Sequence, residues 1–411
     1  MKRFYTLAVI AWLAMSAAAQ TMTVWQGNVS YVYPIEALSQ MTYQNDATAA
    51  SSLMVLEKAF YTDAIDSITV NPAGTLASEY VEIAYSGDEA LVVVPGTIAS
   101  NLTVSVSGAD VSIVAAETLA DEYTYRLTGS STNGSFSQQG SYKLTLILDD
   151  LSLTSTTGAA ISIQNGKRIA VQLPSGTTTT LADASNGAQK ACFFIKGHAE
   201  FSGAGTLNLV GNTKHAYASN EYTILEKDFG TINVTSAVTD GLHIDQYFQM
   251  NGGTVNIAGT GGDGIDVALT DDATDELIGQ VLLLGGNVTI DTGATEDVKG
   301  IKSEADCTIS GATINVRGTG DGVKGIKVGG NLYINGTSTS VTVYEAGTTY
   351  HPNQADQSKT HGVKVTGDFT FDGGTISSKA PGEKAKDFEV DGTYYYKSGT
   401  IDCGVSASAI G

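Results

Sequence analysis

Apolar residues along this chain alternate with polar ones in short runs, and the runs recur. GAGTLNL ends at Leu209, FGTINV at Val234, GGTVNI at Ile257, GGNVTI at Ile290, GATINV at Val316, TSVTV at Val343, GGTISS at Ser378 and GTID at Asp402. The first aliphatic residues of these runs are Leu207, Ile232, Val255, Val288, Ile314, Val341, Ile376 and Ile401, at spacings of 25, 23, 33, 26, 27, 35 and 25. A base period near 25 with two long intervals predicts a structural repeat with insertions at 268–280 and 344–361. Alternation with period 2 is the signature of a strand that buries one side chain and exposes the next.

Two further strands follow in each period. The second places Leu242, Ile265, Ile301, Ile326, Val363 and Phe388 inward. The third places Phe248/Met250, Val281/Leu283, Cys307/Ile309, Leu332/Ile334, Phe369/Phe371 and Tyr394/Tyr396 inward. One period cannot bury its apolar side alone, so stacked periods must share a core. The pattern predicts an all-β fold, a right-handed parallel β-helix forming a three-faced solenoid. Leucine-rich repeats lack a match because the L-x-x-L-x-L consensus is missing, and propeller blades are longer. Ala160-Ile161-Ser162-Ile163 and Cys192-Phe193-Phe194-Ile195 fit the second-strand pattern, so residues 121–200 read as earlier, less regular turns of the repeat. Residues 20–118 show separate strand-like runs at 80–85, 91–94 and 102–106, and read as a small N-terminal β region with a cap. The expected division is 1–19 signal peptide, 20–118 N-terminal β region and 119–411 β-helix.

Composition agrees, with 47 Gly, 6 Pro and little helical periodicity. The chain opens with Lys2 and Arg3, an apolar run at 7–15 and an A-x-A pattern at 17–19. That is a secretory signal peptide with cleavage expected after Ala19, which predicts a secreted or cell-surface protein. No Cys stands at the cut, which argues against a lipid anchor, and no later stretch reads as transmembrane. Losing two cations with the leader leaves 20 Lys and Arg against 43 Asp and Glu, an acidity that excludes nucleic acid as a partner. The charge is uneven, because 11 of the 22 basic residues lie between positions 299 and 397. Cys192, Cys307 and Cys403 are odd in number and far apart, so they read as small apolar residues and not as a disulfide framework. A monomer is expected.

Stacking converts the sequence into outward columns. One column carries Thr206/Asn208, Thr231/Asn233, Thr254/Asn256, Asn287/Thr289, Thr313/Asn315 and Thr375/Ser377. It reads first as β-propensity with side-chain hydrogen-bond ladders, and second as a polar platform for a sugar chain. The other column pairs Asp240 with His243, Asp263 with Asp266, Lys299 with Lys302, Lys324 with Lys327, His361 with Lys364 and Lys386 with Glu389. An acidic patch thus passes into a basic one along one edge. The bland reading is a solvated, screened edge. The functional reading is a cationic track for a polymer bearing regular carboxylates, with Lys as a point-charge partner. Candidate carbohydrate contacts are Lys299, Lys302, Lys324, Lys327, His361 and Lys364, with Tyr344 beside them; Tyr350 and His351 lie in the same insertion. Candidate metal ligands are Asp240, Asp263, Asp266, Asp271 and Asp272, an excess of hard oxygen donors that suits calcium.

The strings NGKRIAV (165–171), FFIKGHAEFSGAGTLNLVGN (193–212), DGLHIDQYFQMNGGTVNI (240–257), GGDGIDV (261–267) and the two KGIK turns (299–302 and 324–327) carry a resemblance. Over residues 121–402 the chain resembles the secreted bacterial carbohydrate-binding β-helix family related in shape to pectate lyases. The resemblance implies a calcium-containing β-helix that binds cellulose and acidic plant polysaccharide without established catalysis. It also implies that Asp263, Asp271 and Asp272 fall at acidic positions of the family. The leading expectation is therefore extracellular binding of an acidic, uronate-containing polysaccharide with calcium. A calcium-dependent polysaccharide lyase would use calcium and Lys302 or Lys327 for β-elimination, against which stands the near absence of Arg. A surface adhesin or structural solenoid is the third reading.

Overall fold

A computed structural model describes residues 20–39, 41–45, 50–71, 79–117, 119, 122–270, 272, 274 and on to 403. The expected signal peptide at 1–19 lies outside the described residues. The protein is all-β, and its long sheets are parallel. The alternating runs form three ladders in which each strand pairs with its equivalent one repeat later.

In the first ladder Leu207 pairs with Ile232, Ile232 with Val255, Val255 with Val288, Val288 with Ile314, Ile314 with Val341, Val341 with Ile376 and Ile376 with Ile401. In the second, Leu242, Ile265, Ile301, Ile326, Val363 and Phe388 pair in order. In the third, Phe248, Val281, Cys307, Leu332, Phe369 and Tyr394 do the same. Within the first ladder the inward aliphatics from Leu207 to Ile376 are at most 2% exposed. All three ladders feed a common apolar cluster. At about 1.5–3 kcal/mol for each large aliphatic side chain fully buried, this shared core is the main stabilising term. Tyr396, expected to face inward, is 57% exposed in the last described repeat.

The same ladders run upstream. Ile161 pairs with Phe193 and Phe193 with Tyr217. Strands before residue 118 join in as well: Val81–Ser86 lies parallel to Tyr123–Ser131, and Ala109–Ala115 parallel to Gly134–Gln139. The N-terminal region continues the sheets, with antiparallel hairpins such as Val81–Ser86 with Glu89–Pro95 at its start.

The turn that opens each second strand needs glycine for space. A Cβ on Gly300 would lie 2.3 Å from Val316 Cγ1, and one on Gly325 2.2 Å from Val343 Cγ1. The KGIK string is therefore a packing solution: the glycine lets the first ladder press against the second, and the residues on either side of the Gly-Ile pair are left to line the edge.

Candidate functional site

The second ladder presents one outward residue per strand. On Leu242–Asp245, Ile265–Ala268, Lys299–Ser303, Lys324–Val328, His361–Val365 and Lys386–Val390 these are His243, Asp266, Lys302, Lys327, Lys364 and Glu389, paired in unbroken register. Neighbours in such a column are about 4.8 Å apart along the ladder. A second column three residues earlier runs Lys299, Lys324, His361, Lys386.

The lysines do not form a bare cationic track. Lys302 Nζ is 3.0 Å from Asp266 Oδ1 and 2.7 Å from Glu304 Oε1. Although burial opposes its charge, those two carboxylates hold the Lys302 ammonium above its usual range. Lys364 and Lys386 both reach Glu389, at 2.8 and 2.9 Å. Burial disfavours the Glu389 carboxylate, but the two lysines prevail and pull it down to about 2. Lys299 donates to the Asp297 carbonyl at 2.7 Å. Lys327, between Lys302 and Lys364, makes no hydrogen bond or ion pair among the described residues.

Three expected sugar contacts are placed elsewhere. Lys324 is 8% exposed, with Nζ bonded to the Gly322 carbonyl at 2.7 Å, to Ser358 and to Asp297 at 3.3 Å. His361 is 2% exposed and sits 2.9 Å from Glu389 Oε2. Burial, with the surrounding Lys364, Lys324 and Lys386, lowers its imidazole to about 4, so it is neutral. Both are enclosed because the second insertion folds back as the hairpin Thr349–Tyr350 with Ser358–Lys359, whose Ser358 covers Lys324. Tyr344 is 47% exposed but stands on the first ladder, in register with Arg317 and Lys379, not in the lysine column.

At the other end of the column, nitrogen and oxygen donors meet. His215 Nδ1 lies 3.0 Å from Asp240 Oδ2, and His243 Nδ1 lies 3.3 Å from the same oxygen and 2.9 Å from Asp266 Oδ2. The two imidazoles stack with centroids 4.3 Å apart. Burial works against the Asp240 carboxylate, yet the imidazoles hold it well below the usual range. Burial likewise opposes charge on His243, and Asp240 and Asp266 overcome it, raising the ring to about 9. Asp263 accepts from the Lys299 amide at 2.8 Å, and burial, with Asp240 and Asp266 adding to it, pushes its carboxyl up to about 6 against the pull of Lys299.

This donor set does not fit the expected calcium cage. Calcium takes six to eight oxygen ligands, whereas Asp240 and Asp266 already face imidazoles and an ammonium, and Asp263 serves the main chain. Asp272 accepts from Thr274 at 2.7 Å in the exposed insertion. Asp271 lies outside the described residues.

Sequence reasoning missed His215, which stands in the pre-turn column one repeat before Asp240; extending the 25-residue spacing upstream finds it. It missed Asp297, Glu304 and Ser358, which come from turns and the insertion and carry no periodic signal. It also missed a stacked file on the third ladder, His198, Tyr222 and Tyr247, with centroids 4.5 and 4.9 Å apart. Those rings cover one another's faces. The Thr/Asn column behaves as its first reading expects: Asn233 donates to Asn208, and Asn256 to Asn233, each at 2.9 Å.

Most of the length of these ladders falls within one sequence family. No curated protein matches the chain. Among solved structures it is similar to a polysaccharide lyase-like protein from C. thermocellum, determined as a gadolinium derivative, with a TM-score of 0.51 and 22% identity over 62% of this chain and 96% of that one. At that identity the likeness is one of fold. The family model of carbohydrate-binding domain-containing proteins matches residues 107–406, and the chain belongs to that family.

Proposed function

We propose that the three ladders close into a right-handed parallel β-helix, and that its charged edge binds an acidic, uronate-type polysaccharide outside the cell. The observation that carries this reading is Lys327. It stands between two lysines in register, each of which has a carboxylate partner while Lys327 has none among the described residues. Like charges one strand apart repel by about 1 kcal/mol in water and more at lower dielectric. A ligand carboxylate seated on Lys327 relieves that repulsion, and an extended polymer with a carboxylate on each unit can reach neighbouring strands as well. Family membership supports the polysaccharide class. Tyr344, exposed between Arg317 and Lys379, offers a ring flanked by cations for a second contact on the adjacent face.

Affinity electrophoresis in gels containing polygalacturonate or an uncharged glucan tests the reading. Retardation is expected in the polyuronate, weakening with added salt, and weakening about 5- to 10-fold in Lys327→Ala, the loss of one charge-assisted contact. Retardation that ignores both salt and Lys327→Ala would sink it.

A further inference from the structure

We propose that His215, Asp240 and His243 form a site for a divalent transition cation of the zinc type. Two successive repeats contribute the residues: His215 opens the strand His215–Ser219, while Asp240 precedes the next strand and His243 lies on it. One ligand atom from each residue lies within 4.8 Å of the other two. Two stacked imidazoles direct their Nδ1 atoms at a single carboxylate oxygen, at 3.0 and 3.3 Å.

The protein does not complete the hydrogen bonding there. His215 is 3% exposed and its Nε2 has no hydrogen-bond partner among the described residues. Zinc binds imidazole nitrogen and carboxylate oxygen at about 2.0–2.2 Å in four-coordinate sites, so an ion here draws the three donors inward by side-chain rotation. Imidazole selects zinc-type ions over calcium, which prefers oxygen alone.

The surroundings also suit a metal. Asp245 Oδ1 stands 3.6 Å from His243 Nε2, on the side of the ring away from the cluster, where an outer carboxylate orients a metal-bound histidine. Thr239 Oγ1, 2.9 Å from His215 Nδ1, is the group the ion displaces. The His243 and Asp240 side chains are 22% and 14% exposed, which gives an entry path and an open fourth position for water or a ligand oxygen.

The test uses the full chain, stripped with chelator and titrated calorimetrically with zinc, cobalt and calcium, with metal content measured after gel filtration. One zinc or cobalt per chain is expected, cobalt acquiring visible absorption from imidazole ligation, and calcium failing to displace either. His215→Asn and His243→Gln should each abolish stoichiometric uptake, and Asp245→Asn, on the exposed rim, should weaken it about 10- to 100-fold. Thermal melts identify any variant that fails to fold, in which case Asp245→Asn decides. Absence of stoichiometric zinc or cobalt, uptake unchanged in the folded variants, or displacement by calcium overturns the site. Polyuronate binding is measured on the same samples, so absence of zinc uptake by the wild-type chain with glycan retardation intact refutes this proposal alone.

Discussion

Two outward columns of the same repeat solve the problem of stacking in opposite ways. On the first ladder Asn208, Asn233 and Asn256 bond to one another, because an amide both donates and accepts and so satisfies its own copy. On the second ladder a lysine above a lysine can do no such thing. Every stacked charge needs a partner of another kind, and the chain supplies Glu304, Asp297 and Glu389 from turns or the next repeat. A neutral column closes on itself, whereas a charged column stays open until something completes it. Lys327 and the His215–Asp240–His243 cluster are places where it is left incomplete.

The contrast is sharpened most by an acid with neither kind of partner. Glu345 is fully buried beside Gly318 and Gly325, and neither carboxylate oxygen has a hydrogen-bond partner among the described residues. Burial, with Asp291 nearby, raises its carboxyl from 4.5 to about 8. The native state therefore holds a proton that the unfolded chain releases. Its contribution to stability is fully present below pH about 4.5 and lost as the pH rises through about 8. Glu345→Gln should flatten that slope, a difference on the order of a few kcal/mol between acid and alkaline denaturant titrations.

Glu389→Ala comes next. It leaves Lys364 and Lys386 without their shared anion and is expected to destabilise by about 2 kcal/mol at neutral pH. The depressed carboxyl has the opposite sign to Glu345: its stabilisation is present above pH about 4.5 and lost as the pH falls through about 2, so wild-type and variant melting temperatures should converge in acid. Lys302→Ala strands Asp266 and Glu304 and should cost about 1–2 kcal/mol in urea unfolding. Asn233→Ala breaks two amide bonds of the neutral column for about 1 kcal/mol, with no change in salt dependence. Lys327→Ala should leave stability within about 0.5 kcal/mol of wild type or raise it slightly, since it removes repulsion and breaks no pair. Its effect belongs in the glycan assay. A loss of stability there comparable to Lys302→Ala would mean the two lysines are equivalent and the comparison fails.

Strand register was legible because it depends on one local quantity. Alternating burial fixes which residues face inward, and the 25-residue spacing fixes which of them meet, so the pairings of Leu207 with Ile232 and Lys302 with Lys327 follow from the letters alone. The partners of the charges were not legible. Lys324 looked like Lys327 in the sequence, two identical letters in one KGIK turn, yet Ser358, 34 residues on, covers one and leaves the other open.

By itself the sequence determined the all-β class, the inward and outward faces, the register and the two charged ends of the column, because side-chain alternation and repeat length act over a few residues at a time. Only the tertiary structure decided which charges are paired, which are enclosed and which face water. Ion pairs and hydrogen bonds act over a few ångströms, and the groups that come so close here arrive from turns and insertions whose paths no periodicity encodes.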